Sequence, residues 1–224
     1  MIEQRQGQRE RIVTATGRLF RDKGYHGASM ADIGKAVGLE KGSLYSHITS
    51  KQDVLRELAL RGATLFMAGI REVVASDDPA PVKVRDAMRA HLRVVAEHPD
   101  LATVFLQEWR RLEGEALDEV NGLRGEYEAL WRELVAAGVR DGAFRADLDP
   151  RFAALLLLSA ANWAYQWFDP HGPLSADEVA DRFTGIAIEG MTSDQPSAIS
   201  YQQSLDCADG NGCPRGIQGQ KADG

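Results

Sequence analysis

An all-α fold is predicted for this chain of 224 residues by three observations. Apolar side chains recur three and four positions apart along successive segments, the spacing that places them on one face of a helix. No stretch alternates convincingly between apolar and polar residues at period two, the mark of a half-buried strand. Between the segments stand N-cap residues, glycines and prolines, which start and stop helices. About nine helices result, as a three-helix module near the N-terminus and a larger helical domain after it.

Residues 1–8 are polar and are expected to form a flexible arm. Helix 1 is predicted over 9–23, with Ile12, Thr16, Leu19 and Phe20 as its inward stripe and Gly24 ending it. Ser29 caps a second helix that carries Met30, Ile33, Ala36 and Val37 on one face. Gly38 supplies the turn after it, because glycine enters the left-handed backbone region without steric cost. A short third helix is predicted from Lys41 to Ile48, with Leu44 and Ile48 turned to the core. Ser50 and Asp53 form a capping pair for a long helix, Lys51 to about Val74. That helix leads from a module over 9–50 into a domain over 51–192.

Ser76-Asp77-Asp78-Pro79 is a strong break, and helices are predicted over 81–97, 100–112 and 114–138. Asp149 is an N-cap with Pro150 in the favoured first-turn position, opening a helix to about Phe168. Ser175, followed by Asp177 and Glu178, opens the last helix to about Met191. The 32 residues from Ser193 hold five glycines and few large apolar side chains. They bury too little surface to offset ordering entropy, so 193–224 is expected to be a disordered tail.

The net charge of −7 is unevenly spread. Residues 1–61 carry 11 Lys and Arg against 7 Asp and Glu, and the remaining residues carry 15 against 26. Positive charge is therefore gathered where the short helices lie, and a polyanion responds to that local field. Two helices joined by a tight glycine turn form a helix-turn-helix, whose second helix enters the major groove of DNA. Lys41, Ser43, Tyr45 and His47 face outward on it, side chains that suit phosphate oxygens and base edges. Lys51 stands where a phosphate strand passes the next helix N-terminus.

Cys207 and Cys213 fall in the polar tail and are read as free thiols in a reducing cytosol. The N-terminus has no apolar signal segment. The most apolar run, 152–168, is shorter than the roughly 20 residues that span a bilayer, so a cytoplasmic protein without membrane contact is expected. The five histidines lack metal-ligand spacing, and neither a metal nor a cofactor is predicted. Glu113 with Glu115 and Asp147 with Asp149 read as loop or cap residues, so no catalytic residue is assigned. An enzyme or a helical adaptor that does not bind DNA is the alternative class.

Residues 9–61, through RERIVTATGRLFRDKGYHGAS, MADIGKAVGLEKGSLYSHI and TSKQDVL, resemble the DNA-binding domain of the TetR family of bacterial regulators. The resemblance implies an all-helical homodimer, each subunit joining a three-helix DNA-binding domain to an effector-binding domain. It implies phosphate contacts from Ser29, Tyr45, His47 and Lys51, and base-edge contacts from Lys41, Gly42 and Ser43. Gly34 stands where alanine is usual, Ile48 where phenylalanine is usual, and Glu40 where a small cap is common. Gly34 is expected to weaken its helix by roughly 1 kcal/mol relative to alanine.

In the larger domain two groups are candidate ligand contacts. Phe105, Trp109, Tyr127 and Trp131 are aromatics on consecutive helices, and each is either core or pocket wall. Asn162, Trp163, Gln166 and Trp167 sit on neighbouring faces of an apolar helix, where the amides need a partner from a ligand, a water or a dimer mate. Of His91, Arg93, His98, Arg110 and Arg111, one or two are candidates to meet an anionic ligand and the rest read as surface charge.

The segment SAANWAYQWFDPHGPLSADEVADRFTGIAIEGM is similar to the last helices of TetR-family members that sense acyl-CoA thioesters. That similarity implies a CoA contact at Trp163. Where some of those members carry an arginine four residues earlier, this chain has Ser159. The expected function is a repressor released from a palindromic double-stranded operator by a small effector, with the last two helices forming the dimer interface.

Overall fold

The computed structural model describes residues 2–192, with side chains from residue 6. All regular structure among them is helical: α1 Ile2–Gly27, α2 Met30–Val37, α3 Lys41–Tyr45, α4 Lys51–Ala75, α5 Ala80–Glu97, α6 Pro99–Leu106, a 3₁₀ turn Glu108–Arg111, α7 Gly114–Arg140, α8 Pro150–Trp167 and α9 Ala176–Thr192. The tail 193–224, with both cysteines, lies outside the described residues.

Most caps fall where the residue chemistry puts them. The Ser29 hydroxyl accepts the Asp32 N–H at 3.1 Å and the Asp32 carboxylate accepts the Ser29 N–H at 2.9 Å, a reciprocal capping box. Ser50 accepts the Asp53 N–H, and Asp149 accepts the N–H groups of Arg151 and Phe152. Gly38 is left-handed, at φ 70 and ψ 33, and closes α2 through Gly34 O and Lys35 O.

Three expectations need correction. Residues 2–8, expected as an arm, are the first turns of α1. Gly24 leaves helical geometry, at φ 70 and ψ 164, and so breaks the first helical run where expected, with one further short turn to Gly27 beyond it. The third helix stops at Tyr45 rather than Ile48. Ser46 closes back on the Ser43 carbonyl with both its N–H (3.2 Å) and its hydroxyl (2.7 Å), displacing the bond that would have continued the helix. The helix expected over 100–112 is cut at Leu106. Arg124 from α7 donates to the Phe105 carbonyl at 2.5 Å, removing an acceptor that the next turn needs.

The long helix α4 is the spine. At its start it packs on α1, which holds α2, and α2 in turn holds α3; Ile12, Phe20, Ile33, Leu44, Val54 and Leu58 are all buried there. Further along it meets α5, α6 and α7 around Phe66, Ile70, Leu92, Phe105 and Trp131. The Phe66 and Phe105 rings stack at 5.1 Å, and Tyr127 meets Phe66 edge-on at 5.8 Å. Packing runs without a break across residue 50, because α1 lies on α6 as well as on α4. The residues up to Thr192 are one compact unit.

Candidate nucleic-acid interface and effector cavity

Leu44 and Ile48, at 1% and 3% exposure, anchor α3 to the module core. Everything else on this short helix is turned out. Lys41, Gly42, Ser43 and Tyr45 are exposed on α3, and His47 is half-buried in the turn that follows it. A side chain at Gly42 would meet nothing within 4 Å. The helix carries an ammonium, a hydroxyl and a phenol, with an imidazole in the turn after it, on an element narrow enough for a major groove.

Ser29 and Lys51 are placed differently. The Ser29 hydroxyl also donates to Asp32, at 2.5 Å, and Lys23 adds an ion pair to the same carboxylate at 3.0 Å. The Ser29 hydroxyl bond first, then its N–H and Lys23, hold the Asp32 carboxyl far below its usual range. Ser29 is thus occupied by its cap. Lys51 donates to the Tyr25 and Ala28 carbonyls at 2.7 and 2.8 Å, with its ammonium 4.0 Å from the Tyr25 ring centroid. Burial pulls its pKa below the ordinary lysine value. This ammonium ties the start of α4 to the turn between α1 and α2.

Gly34 has a role that helix propensity misses. A Cβ there would sit 2.8 Å from the Leu39 carbonyl oxygen. The residue lets the turn fold tightly over the end of α2, where Leu39 N–H bonds Gly34 O at 2.9 Å. Alanine would have to displace backbone, so the expected gain from that substitution is reversed.

A cavity of about 390 Å³ opens between α6 with its 3₁₀ turn, α7 and α8. Phe105, Trp109, Tyr127 and Asn162 line it, with Arg124, Asn121, Leu155, Leu158 and Ser159. Behind its wall, His91 Nδ1 lies 3.0 Å from the Tyr127 hydroxyl. His91 is 1% exposed, not the surface charge expected. Burial, offset in part by the Ala161 carbonyl, pulls its pKa down to about 3, and burial raises that of Tyr127. Both are neutral at neutral pH, so this part of the wall is aromatic and uncharged. A wider hollow of about 520 Å³ lies beside α4, lined by Arg9, Glu57 and Arg61. Those charges pair with one another, so the aromatic cavity is the better small-molecule site.

Residues 77–191 match the tetracyclin repressor-like C-terminal domain, and residues 12–58 match the bacterial regulatory proteins of the tetR family. The chain belongs to the TetR family. It is 29% identical over 189 residues to the HTH-type transcriptional repressor KstR2 of Rhodococcus jostii, spanning 84% of this chain and 92% of that one. Among solved structures it is 32% identical to the TetR regulator PfmR of Thermus thermophilus, with a TM-score of 0.74, covering 82% of this chain and all of that one. It is 27% identical to AibR in complex with isovaleryl coenzyme A and operator DNA, with a TM-score of 0.73, covering 80% of this chain and 97% of that one. These relatives are regulators, not enzymes.

In this TetR-family chain the remaining candidates do not line the cavity. Trp131 is fully buried core. Trp163 and Trp167 are 62% and 47% exposed, and Gln166 turns to Gln107, with Nε2 3.2 Å from its Oε1. The reason is that α8 is apolar on two sides. Ala154, Leu157, Leu158 and Ala161 take the core, and Phe152, Leu156, Trp163 and Trp167 are left on the outer side. Periodicity cannot say which side is which. Arg124 is one of the lining residues, with Asn121, Glu128, Leu155 and Leu158, that are not among the sequence candidates. Its signal was its place three residues before Tyr127, on the same helix face. No helix among the described residues is long and apolar enough to cross a membrane.

Proposed function

We propose that this TetR-family chain is a cytoplasmic, homodimeric transcriptional repressor that releases a palindromic operator when a small effector occupies the cavity between α6, α7 and α8. The observation that carries the DNA half is the exposure of α3, whose Lys41, Gly42, Ser43 and Tyr45 are all open to solvent while Leu44 and, just beyond the helix, Ile48 are buried. A two-fold dimer would place two such helices in successive major grooves, with half-sites about 34–36 Å apart or a multiple of it. Repression is supported by the likeness to KstR2, named a repressor.

Dimerisation through α8 and α9 is supported by the apolar side chains they leave uncovered: Phe152, Leu156, Trp163, Trp167 and, at 76% exposure, Ile186. A patch of this kind marks a protein contact. Acyl-CoA thioesters are the effector class we favour, on the likeness to AibR, solved with isovaleryl coenzyme A. The effector must prefer the released form. A 100-fold loss of operator affinity needs about 2.7 kcal/mol of such preference.

The test is a gel-shift titration of the full chain on its own upstream DNA over a range of salt, with acyl-CoA thioesters and free acids added in parallel. Salt-sensitive, sequence-selective binding by a dimer is expected. Absence of selective binding at low salt defeats the DNA reading, and release by free acids in preference to thioesters defeats the CoA part. Trp163→Glu combined with Leu156→Glu should yield monomers in sedimentation.

A further inference from the structure

Arg124 lacks the carboxylate partner that several other arginines of the larger domain and of α4 hold. Arg61 pairs with Glu10 at 2.5 Å, Arg89 with Asp181 at 2.7 Å and Arg93 with Asp177 at 2.6 Å. No such ion pair involves Arg124 among the described residues. Its guanidinium is half-buried, donates once to the Phe105 carbonyl, and lies 4.6 Å from the Trp109 ring and 5.1 Å from the Phe105 ring. Glu128, one turn further along α7, also lines the cavity but is exposed and makes no ion pair with it. A second unpaired cation, Arg110, lies 4.9 Å from the same Trp109 ring.

Two guanidiniums thus share one indole, Arg124 lining the cavity and the exposed Arg110 beside it, neither in a direct ion pair among the described residues. Removing a charge from water without a partner is costly. Burial, helped by Arg110 and opposed only in part by Glu128, draws the Arg124 pKa down to about 10, in keeping with a site where positive charge outweighs negative. The Trp109 indole N–H is shielded from solvent and has no acceptor among the described residues. One of five guanidinium N–H donors goes to Phe105, so the fork retains donors for a planar or tetrahedral anion.

We propose that Arg124, with Arg110 beside it, is the anion-binding element of this cavity, so that its ligand is an apolar molecule bearing an anionic group that settles against Trp109. The inference rests on reading the cavity as the effector site. It adds that charge decides what enters. Phe105, Tyr127, Leu155 and Leu158 provide the apolar wall for the body of the ligand. The anion is either the carboxylate of a free acid or a phosphate of a CoA thioester, which share this chemistry.

The test uses two fluorescent probes of similar shape with the full-length protein: anilinonaphthalene sulfonate, an anion, and N-phenylnaphthylamine, which lacks the sulfonate. Arg124→Gln should weaken sulfonate binding about tenfold, the order of one charge-assisted hydrogen bond, and change neutral-probe binding less than twofold. Arg124→Lys should recover most of the loss. Equal loss of both probes, or loss of neither, overturns the proposal. Should Arg124→Gln fail to fold by circular dichroism, the exposed Arg110→Gln decides. A fall in sulfonate affinity alone supports the site, and no change overturns it.

Displacement of the sulfonate by decanoic acid assigns a carboxylate, and displacement by decanoyl-CoA alone assigns the CoA phosphates. Methyl decanoate displacing as well as either one overturns the proposal. Operator binding scored beside these assays separates the two readings. Arg124-dependent anion binding without operator binding removes the regulator and leaves the site. Operator release by neutral ligands alone removes the site and leaves the regulator.

Discussion

The carboxylate of Glu108 accepts the backbone N–H of Tyr25 at 3.0 Å, across 83 residues of sequence. Glu108 is 6% exposed and belongs to the 3₁₀ turn whose next residue, Trp109, lines the cavity. Tyr25 belongs to the turn before α2, and its carbonyl and ring hold Lys51. Gln52, beside Lys51, donates to the Arg111 carbonyl at 2.7 Å at the far end of the same 3₁₀ turn. A single short segment therefore touches both the cavity and the base of the DNA-binding module.

Glu108→Ala should leave the Tyr25 N–H buried and unpaired, costing about 1–3 kcal/mol. For a chain of this size that is a fall in Tm of roughly 2–4 °C per kcal/mol. It should also reduce the effect of ligand on operator affinity, since one tie between the two regions is cut. Glu108→Gln, which keeps an acceptor, should restore most of both. Calorimetry reads the stability, and operator titration with and without ligand reads the coupling. Equal coupling in Glu108→Ala and the parent would dismiss the tie.

Lys41 and Lys51 should separate cleanly. Lys41 is exposed on α3, so Lys41→Ala should weaken operator binding and lower the salt-dependence slope by about 2, one for each subunit of the dimer, with little change in Tm. Lys51→Ala removes two hydrogen bonds to turn carbonyls and should lower Tm first, with DNA affinity following. Parallel melting curves and salt titrations would show the contrast, and an unchanged Tm in Lys51→Ala would mean that its bonds hold nothing.

Gly34→Ala should destabilise. Intrinsic propensity favours alanine by roughly 1 kcal/mol, but the added methyl carbon would stand 2.8 Å from the Leu39 carbonyl oxygen. Relief requires moving the turn that orients α3. Denaturant titration is expected to give a lower midpoint, and a higher midpoint would show that the turn yields without cost.

His91 predicts a pH response of definite sign. Its folded pKa is down at about 3, whereas an unfolded histidine titrates near 6.5. As pH falls from about 6.5 toward 3, the unfolded chain takes up a proton that the folded chain refuses. Stability is therefore present above about pH 6.5 and lost as pH drops through this window, by up to about 1.4 kcal/mol per unit. The groups facing it, the Tyr127 hydroxyl and the Arg124 charge, do not gain a negative charge there to offset the loss. Urea unfolding at pH 7 and pH 5 should show a smaller difference in His91→Gln than in the parent.

Much of the architecture was legible from local signals. Ser29 with Asp32, Gly38, Ser50 with Asp53, and Asp149 before Pro150 each act within a few residues, so their chemistry can be read along the chain. The helix spacing of Leu44 and Ile48 settled which side of α3 faces out for the same reason. Local signals fell short where a distant partner intervened. Arg124 reaches back 19 residues to the Phe105 carbonyl at the end of α6, and the bonds of Lys51 to Tyr25 and Ala28 are set by the fold and not by its own segment.

Periodicity and capping, which are short-range, were enough for an all-α chain with a helix-turn-helix near its start. They could not rank the faces of α8, since that helix is apolar on two sides and only packing against α5 and α7 chooses the inner one. For the same reason Trp131 became core, Trp163 surface and His91 a buried neutral ring. The cavity and its unpaired guanidinium arise from the juxtaposition of α6, α7 and α8, because burial and charge balance belong to neighbours in space and not to neighbours in sequence.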